Sequence, residues 1–386
     1  METTTRSIPF GKPLIGEEEK NAVLEVLAGT TLVHGPKTKE FESSFAKFTG
    51  SPFAVSVSSC TAALHLSYFY LGIKDGDEII VPAQTHVATA HAVELCGARP
   101  VFIDSEKETG NIDIDQIEKQ ISSHTKAISI VHFLGMPVHM DRINQIAKKH
   151  GLVVIEDCAL AIGTYFNEVH AGLHGDIGCF SFYPVKHMTT AEGGMLITKH
   201  EKIAAKISRQ KAFGVDRHVG ERIIPGVYDV TLLGLNYRMN EIEAAIGIEQ
   251  LKRMEQFLMR RRENYEILSK GLLAIDEISQ FQSSHGEFQS SYYCLSILLK
   301  SALLPKRFEI VEHLKKSGVG TSVYYPKPVP FMKYYQEKYK IQENDFSIAS
   351  WISKATISLP VGPHLDREDM TYIAKILKEA IQQAKN

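Results

Sequence analysis

The sequence has few cysteines, and none of them is placed for pairing. The five thiols are scattered and form no CxxC motif, so their spacing indicates neither a disulfide framework nor a zinc knuckle. HExxH and close His/Cys clusters are lacking too, and we expect no metal site. We expect small buried thiols in a reducing compartment, at Cys60, Cys96, Cys158, Cys179 and Cys294.

An excess of one charge and long apolar runs are lacking as well. The 43 Lys and Arg residues nearly balance 45 Asp and Glu residues, for a formal net charge of -2, which gives no electrostatic reason to expect a nucleic-acid or membrane partner. No apolar stretch approaches the roughly 18 residues of a membrane span, and the start METTTRSIPFGKP lacks the apolar core of a signal peptide. No GxSxG elbow or P-loop occurs. We therefore expect a cytoplasmic protein without a nucleic-acid or membrane partner.

What is present is a regular alternation of short apolar runs and helix-sized segments between Ala54 and Asp157. Two of the runs, Glu78–Pro82 and Val153–Asp157, are largely apolar, which is typical of parallel strands buried on both faces. Helix-sized segments between such strands indicate βαβ crossovers. The sequence predicts an α/β fold with a mainly parallel sheet flanked by helices.

The second half of the chain has a different pattern. One helix is predicted from Glu241 to about Leu268, longer than an ordinary helix and long enough to bridge two lobes. A strand at Tyr292–Leu299, a helix at Arg307–Ser317 and a terminal helix follow, which suggests a smaller α+β unit. We predict a large domain at residues 1–255, whose amino-terminal segment can pack on a small carboxy-terminal domain at residues 256–386.

One candidate site segment is LVVIEDCALAIG, a predicted buried strand that ends in Glu156 and Asp157. Ligands of parallel α/β sheets bind at the carboxyl ends of the strands, so an acid there is a candidate cofactor contact. Asp157 could equally cap a following helix through its side-chain oxygen. The spacing alone does not separate these two interpretations.

A second segment, GDIGCFSFYPVKHMTTAEGGML, places Lys186 just past an apolar strand predicted at Cys179–Tyr183. A lysine in such a setting can be desolvated towards its neutral, nucleophilic form, as Schiff-base chemistry requires. The alternative is an ordinary surface lysine in a loop, which is the commoner state of any single lysine.

A third segment, VSVSSCTAALHLSYFYLG, is a strand that leads directly into a helix through small residues around Thr61 and Ala62. The free amides of a helix start can bind phosphate, although a merely capped βα turn looks the same. Together the three segments offer a helix start that can bind an anion, a carboxylate and an amine. That is the minimal set for holding pyridoxal phosphate.

With these motifs the sequence resembles the DegT/DnrJ/StrS family of sugar aminotransferases, which have the aspartate aminotransferase fold (fold type I). The resemblance runs over nearly the whole chain and is carried by SSCTAALHLS, VIEDCALAIG, GDIGCFSFYPVKHMTTAEGGML, LNYRMNEIEAAIGIEQL and GVGTSVYYPKPVP. It implies a seven-stranded sheet in the large domain, pyridoxal 5′-phosphate as the cofactor, and a homodimer with shared active sites.

The resemblance also implies roles for single residues. Lys186 would form the Schiff base, and Asp157 would pair with the pyridine nitrogen of the cofactor. The other predicted contacts are Thr61, Ala62 and Ser181 to the phosphate, His86 stacked on the ring, Asn236 from the partner subunit to the phosphate, and Tyr324 and His187 to the substrate.

Two departures from the family pattern are visible. Three residues after the aspartate the family commonly has Gln, His or Glu near the cofactor ring, whereas this chain has Leu160, which cannot hydrogen-bond the ring hydroxyl. Related sugar dehydratases put histidine in the place of the lysine; here Lys186 is present and His187 follows it. A histidine in that following position is more often packed or solvent-facing than catalytic.

The resemblance implies transfer of the amino group of L-glutamate to a nucleotide-linked keto-deoxy sugar, at C3 or C4. The amino sugar would serve surface polysaccharide, glycan or antibiotic biosynthesis. Two alternatives stay open: a dehydratase that uses the same cofactor on a nucleotide-linked sugar, and a non-catalytic regulatory protein that binds pyridoxal phosphate.

Overall fold

The computed structural model describes residues 6–216, 224, 227–342 and 345–385. Its helices are α1 (Glu17–Ala28), α2 (Pro36–Thr49), α3 (Cys60–Tyr70), α4 (Val87–Leu95), α5 (Ile114–Ile117), α6 (Met140–His150), α7 (Glu201–Gln210), α8 (Glu241–Lys252), α9 (Met254–Leu272), α10 (Arg307–Lys316), α11 (Lys333–Tyr339), α12 (Ser347–Ala355) and α13 (Arg367–Lys385). Its strands are β1 (Phe53–Val57), β2 (Glu78–Pro82), β3 (Arg99–Ile103), β4 (Thr125–Val131), β5 (Val153–Asp157), β6 (Tyr165–Phe166), β7 (Val169–His170), β8 (Ile177–Ser181), β9 (Gly194–Thr198), β10 (Ile278–Gln280), β11 (Phe288–Gln289), β12 (Leu295–Leu299) and β13 (Thr356–Leu359).

In the described part of the chain, one sheet has seven strands in the order β1-β9-β8-β5-β4-β2-β3. Neighbouring strands are parallel except at β9, which runs antiparallel to both β1 and β8. Ile79, Ile80 and Val81, consecutive in β2, are all fully buried, as expected when helices cover both faces of a sheet. The predicted α/β fold with a mainly parallel seven-stranded sheet is confirmed.

Helix α6 shows how the local sequence determines these elements. Its buried residues Met140, Ile143 and Ala147 recur at helical spacing, and three basic residues in its last turn suit the negative end of the helix dipole. Gly151 follows with φ of 65°, a left-handed conformation that glycine adopts without strain. The chain then enters β5, against which α6 packs, and β5 carries Asp157 to its carboxyl end.

A second, antiparallel sheet is formed by β10, β12 and β13. It shares an apolar core with α9, α10 and α13, and Ile8 from the start of the chain is fully buried in the same core. The amide of Ile8 donates to the Gly318 carbonyl, and its carbonyl accepts from the Gly320 amide, both at 2.8 Å. The division into two domains at residue 255 stays a prediction.

The single helix predicted from Glu241 to Leu268 is wrong, because α8 and α9 are separate helices. They meet at Arg253, whose φ of -102° and ψ of 3° lie outside the helical region. The guanidinium of Arg253 donates to the Leu14 carbonyl at 2.9 Å and to the carboxylate of Glu19. These partners lie more than 200 residues earlier in the chain, so no local pattern could show the break.

Within the described ranges, no helix combines the length and the apolar character needed to cross a bilayer. The cytoplasmic location stays a prediction.

Glu156 is a buried acid whose hydrogen bonds are all supplied by the fold. Its carboxylate accepts from the amides of Gly172 (2.7 Å) and Gly175 (2.6 Å) and from His132 Nε2 (2.9 Å). His132 Nδ1 accepts from the Val138 amide at 3.1 Å, so the ring proton is on Nε2. Burial acts to raise the pKa of Glu156, but the hydrogen bonds from His132 and Gly175 outweigh it and the pKa lies below its usual value.

We expect Glu156→Gln to lower the free energy of unfolding by about 3 kcal/mol. The NH₂ group of the glutamine would point at a backbone N–H group and could not accept its hydrogen bond. Urea unfolding measures this loss. Because the folded pKa is depressed, the loss should be complete above the unfolded pKa of about 4.3 and shrink as the pH falls through the lower folded value.

The matched control is Glu266→Gln on the exposed side of α9, which should change the free energy of unfolding by no more than about 0.5 kcal/mol. Equal losses in the two variants, or a loss at Glu156 that does not shrink in acid, would contradict the argument.

Candidate active site

The segments that carry Asp157, Ser181, Lys186, His86 and Thr61 leave the large sheet at one edge. Strand β5 ends at Asp157, and its parallel neighbour β8 ends at Ser181, five residues before Lys186. His86 follows β2, and Thr61 lies in the first turn of α3, which follows β1. Strands that run in one direction end at the same edge, where α/β proteins bind their ligands.

Asp157 is buried at this edge with only 4% of its surface exposed. Its Oδ2 accepts from the Thr89 hydroxyl at 2.8 Å, and Thr89 in turn lies 2.8 Å from the Thr85 hydroxyl. Its Oδ1 accepts from the Ala159 amide at 3.1 Å and from the Cys60 thiol at 3.9 Å. Across the described ranges no Lys, Arg or His forms an ion pair with this carboxylate.

The helix-capping interpretation of Asp157 is not what the structure shows, because turns rather than a helix follow it. Thr89 is a site residue that the sequence reasoning missed. A signal was present in PAQTHVAT, where Thr85 lies just before α4 and Thr89 in its first turn, both close behind a predicted apolar strand.

Lys186 is partly buried at the same edge of the sheet, near enough to Asp157 for the two charges to interact. Desolvation lowers the pKa of Lys186 below its usual value, and the negative charge of Asp157 opposes the shift only in part. Its Nζ lies 5.8 Å from the centre of the Tyr293 ring, and Arg261 donates to its backbone carbonyl at 3.4 Å. An ordinary surface lysine has neither the burial nor these contacts.

Helix α3 starts directly after β1. The Ser59 hydroxyl accepts from the Ala62 amide at 3.0 Å and so caps the helix, while the amides of Cys60 and Thr61 have no carbonyl partner inside the helix and are suited to an anion. A Cβ on Gly194 would lie 2.5 Å from the Ser59 carbonyl carbon, so the absent side chain lets β9 come this close. The capped turn is present; the phosphate contacts of Thr61 and Ala62 stay predictions.

His86, just after β2, and Ser181, the last residue of β8, lie at the same edge of the large sheet. His86 is exposed, and its Nδ1 accepts from the Ala88 amide at 3.2 Å, which caps α4. Its ring centre is 5.9 Å from that of Tyr325. Ser181 is buried, and its hydroxyl accepts from the Tyr183 amide at 3.5 Å. The cofactor contacts of His86 and Ser181 stay predictions.

The remaining predicted residues differ in their surroundings. The Tyr324 hydroxyl lies 2.9 Å from that of Tyr293, and burial raises the pKa of Tyr324 to about 12. His187 is buried and its Nε2 lies 3.2 Å from the Ser291 carbonyl, whereas Asn236 is exposed. The substrate contacts of Tyr324 and His187 and the phosphate contact of Asn236 stay predictions.

These groups fit pyridoxal 5′-phosphate. A buried carboxylate with no ion-pair partner among the described residues suits a protonated ring nitrogen, a lysine of lowered pKa suits an aldehyde carbon, and a helix start suits a phosphate. Leu160 is buried in an apolar cluster with Phe133 and Tyr293, so its side chain offers no hydrogen bond to the ring hydroxyl.

Within the described residues, His132, Glu156 and Cys158 place one potential metal ligand each within 4.8 Å of one another. The ring nitrogens of His132 and the carboxylate oxygens of Glu156 already take part in hydrogen bonds. The prediction of no metal site stays a prediction.

Comparison with known proteins agrees with this geometry. A model of the DegT/DnrJ/EryC1/StrS aminotransferase family matches residues 13–378. The chain belongs to this family. The aminotransferase is 36% identical over 384 residues to the spore coat polysaccharide biosynthesis protein SpsC of Bacillus subtilis, with 98% of each chain covered. It is also 36% identical over 374 residues to the GDP-perosamine synthase of Escherichia coli O157:H7, covering 96% of this chain and 98% of that one.

Among solved structures, the aminotransferase resembles Spr1654 of Streptococcus pneumoniae, which is described as a sugar aminotransferase and is known in PMP and PLP forms. The PMP form superposes with a TM-score of 0.93 at 29% identity, covering 98% of this chain and 100% of that one. The protein is thus a pyridoxal-phosphate-dependent sugar aminotransferase.

We expect Thr89→Val to reduce kcat about tenfold, since the buried Asp157 carboxylate would lose a hydrogen bond whose removal costs roughly 1–3 kcal/mol. The measurement is single-turnover reaction with an amino donor, together with the cofactor dissociation constant. Thr89→Ser keeps the hydroxyl and should stay close to the unaltered enzyme. Equal rates for the Val and Ser variants would show that the hydroxyl does not support Asp157.

Proposed function

We propose that the enzyme transfers the amino group of L-glutamate to C3 or C4 of a nucleotide-linked keto-deoxy sugar, giving an amino sugar for surface polysaccharide, glycan or antibiotic biosynthesis. The observation that carries the proposal is that Lys186, a partly buried lysine of lowered pKa, and the buried Asp157 carboxylate lie at the same edge of the sheet. The relatives support the substrate class, since one is named for a nucleotide-linked sugar and another for polysaccharide biosynthesis.

In the proposed mechanism, Asp157 holds a proton on the ring nitrogen of the cofactor, and Thr85 and Thr89 orient its carboxylate. Because the pKa of Lys186 is lowered, its Nζ is neutral in a larger fraction of molecules and can accept the proton from the α-carbon of glutamate. The same Nζ returns a proton when the keto sugar is aminated. Bound pyridoxal phosphate supplies the electron sink and carries the amino group between the two substrates.

The phosphate end is proposed to lie at the start of α3, at Thr61, Ala62 and the hydroxyl of Ser181. The Ala62 amide would then exchange its present partner, the Ser59 hydroxyl, for the phosphate. His86 would stack on the ring, and Tyr324 and His187 would contact the substrate. Lys186 stands where the related dehydratases have histidine, so we favour amino transfer over elimination.

We also propose a homodimer in which Asn236 serves the active site of the partner subunit. Asn236 is exposed, and several apolar side chains near it are exposed too: Phe213 by 49%, Val230 by 54% and Leu233 by 74%. The Phe213 amide donates to the Leu235 carbonyl at 2.9 Å, which joins the two segments into one surface. Exposed apolar groups gathered in this way support an interface.

To test the reaction, the visible absorption of the holoenzyme is followed while L-glutamate and then a keto-sugar nucleotide are added. The cofactor band should bleach with glutamate and return with the sugar, and the amino group should appear in the product. Lys186→Ala should slow the half-reaction about 10²–10⁴-fold or more, because the proton-transfer group is lost. A holoenzyme that responds to no amino donor, or that turns over the sugar without amination, would refute the proposal.

The shared site is tested by mixing Lys186→Ala and Asn236→Ala subunits. If Asn236 serves the partner subunit, each mixed dimer contains one fully intact site, and random mixing should restore about a quarter of the unaltered activity. If Asn236 serves its own subunit, no mixed dimer contains an intact site. Activity that stays at the level of the separate variants would therefore overturn the shared arrangement.

A further inference from the structure

Arg261 is a buried cation that no acidic side chain of the described residues pairs with. It lies on the buried stripe of α9 and is only 5% exposed. The arginines near it in the chain all form ion pairs with glutamates, namely Arg253, Arg260 and Arg262. Burying a charge without a counter-ion is costly, so the hydrogen bonds that Arg261 makes instead indicate what it does.

The guanidinium of Arg261 donates to two main-chain carbonyls. Its Nη1 donates to the Tyr293 carbonyl at 2.8 Å and its Nη2 to the Lys186 carbonyl at 3.4 Å. The centre of the Tyr293 ring lies 5.9 Å from the guanidinium carbon and 5.8 Å from Lys186 Nζ. One planar group thus joins the backbone of Lys186 to the backbone of the residue whose ring lies beside Nζ.

The segment Ser290–Tyr293 is buried although it belongs to no strand or helix. Tyr292 within it has a φ of 50°, a left-handed conformation that is strained for a residue with a side chain. The Ser291 hydroxyl donates to the Leu160 carbonyl at 2.8 Å. A buried irregular segment depends on such bonds for its shape, and Arg261 supplies the donor at its last residue.

A second hydrogen bond joins the same two segments. His187 Nε2 lies 3.2 Å from the Ser291 carbonyl, and since a carbonyl can only accept, Nε2 carries the ring proton. Burial lowers the pKa of His187, and the positive charge of Arg261 adds to the shift, so the ring stays neutral. The consecutive residues Lys186 and His187 are therefore both tied to Ser291–Tyr293.

We propose that Arg261 is a positioning residue for Lys186, whose backbone it holds against Tyr293 so that the ring shields Nζ from water. The proposal rests on the proposed function, because Lys186 is the reacting residue there. Without the two hydrogen bonds, the lysine and the ring would separate and water would reach Nζ. Since desolvation is what lowers the pKa of Lys186, that pKa would then rise.

Two variants separate the hydrogen bonds of Arg261 from its charge. Arg261→Met puts an apolar side chain on the buried stripe and donates no hydrogen bond, and replacing a buried charge in this way is often tolerated by the fold. Arg261→Lys keeps the charge but loses the planar fork. For each holoenzyme, the visible absorption of the cofactor bound to Lys186 is titrated with pH, and kcat is measured against pH.

In Arg261→Met, the midpoint of the absorption titration and the acid limb of kcat should both move upward by about 0.5 pH units or more, because a hydrated nitrogen is protonated more easily. Arg261→Lys should show most of this shift. In both variants kcat should fall about ten- to hundredfold, because Nζ is misplaced. The KM for L-glutamate should change by less than about threefold, since the bonds that are lost go to the main chain and not to the substrate.

The matched control is Asn264→Ala, on the same buried stripe of α9. Asn264 Nδ2 also donates to main-chain carbonyls, those of Gly362 at 3.1 Å and Leu365 at 3.2 Å, but to none in the Lys186 segment. The control should lower the free energy of unfolding in urea without moving the absorption midpoint. An equal movement in Asn264→Ala and Arg261→Met would show general loosening and overturn the proposal.

An unchanged midpoint in Arg261→Met also overturns it. Arg261→Lys that behaves like the unaltered enzyme would show that the charge matters and not the fork. A higher KM for glutamate with unchanged kcat would show that Arg261 binds the donor. The glutamate half-reaction tests the proposed function by itself: a holoenzyme whose midpoint moves as expected in Arg261→Met, but which responds to no amino donor, would refute amino transfer and leave the positioning role standing.

Discussion

The arrangement of the site depends on one buried carboxylate, Asp157, that has no cation paired with it in the described part of the chain. Taking such a charge out of water is expensive unless hydrogen bonds or an opposite charge compensate. Thr89, Ala159 and Cys60 supply donors to its two oxygens, and Lys186 lies close enough for the two charges to interact. What is still missing is a positive charge next to Asp157, and the protonated ring of pyridoxal phosphate would supply it in the proposed mechanism.

The neighbouring acid shows why strand geometry matters here. Glu156 and Asp157 are consecutive in β5, and successive side chains of a strand point to opposite faces of the sheet. Glu156 is fully bonded by His132 and two backbone amides, so it serves the fold. Asp157 faces the starts of α3 and α4 instead, through Cys60 and Thr89. Two adjacent carboxylates thus have different roles because one strand presents them to different surroundings.

What the sequence could predict follows from the range of the interactions. Strands such as β2 and β5 are continuous apolar runs, so their existence and the parallel sheet could be read locally, and parallel topology then placed Asp157 and Lys186 at one edge. The different roles of Glu156 and Asp157 could not be predicted in this way, because both acids end the same apolar strand. The break at Arg253 depends on Glu19 and Leu14, far away in the chain. The Thr89 hydroxyl likewise finds its partner 68 residues later, and no local pattern records such a pairing.

The site residues differ in exposure, and the difference links the proposed dimer to the carboxylate. Asp157 and Ser181 are buried, whereas His86 and Asn236 are exposed. In a single chain the site therefore has a buried inner part and an outer face that is open to solvent. Electrostatic pairs strengthen as water is excluded, because the local dielectric falls. The proposed partner subunit would cover this face with apolar residues such as Leu233. Dimer formation would then strengthen the interaction between Asp157 and the positive charge that it lacks.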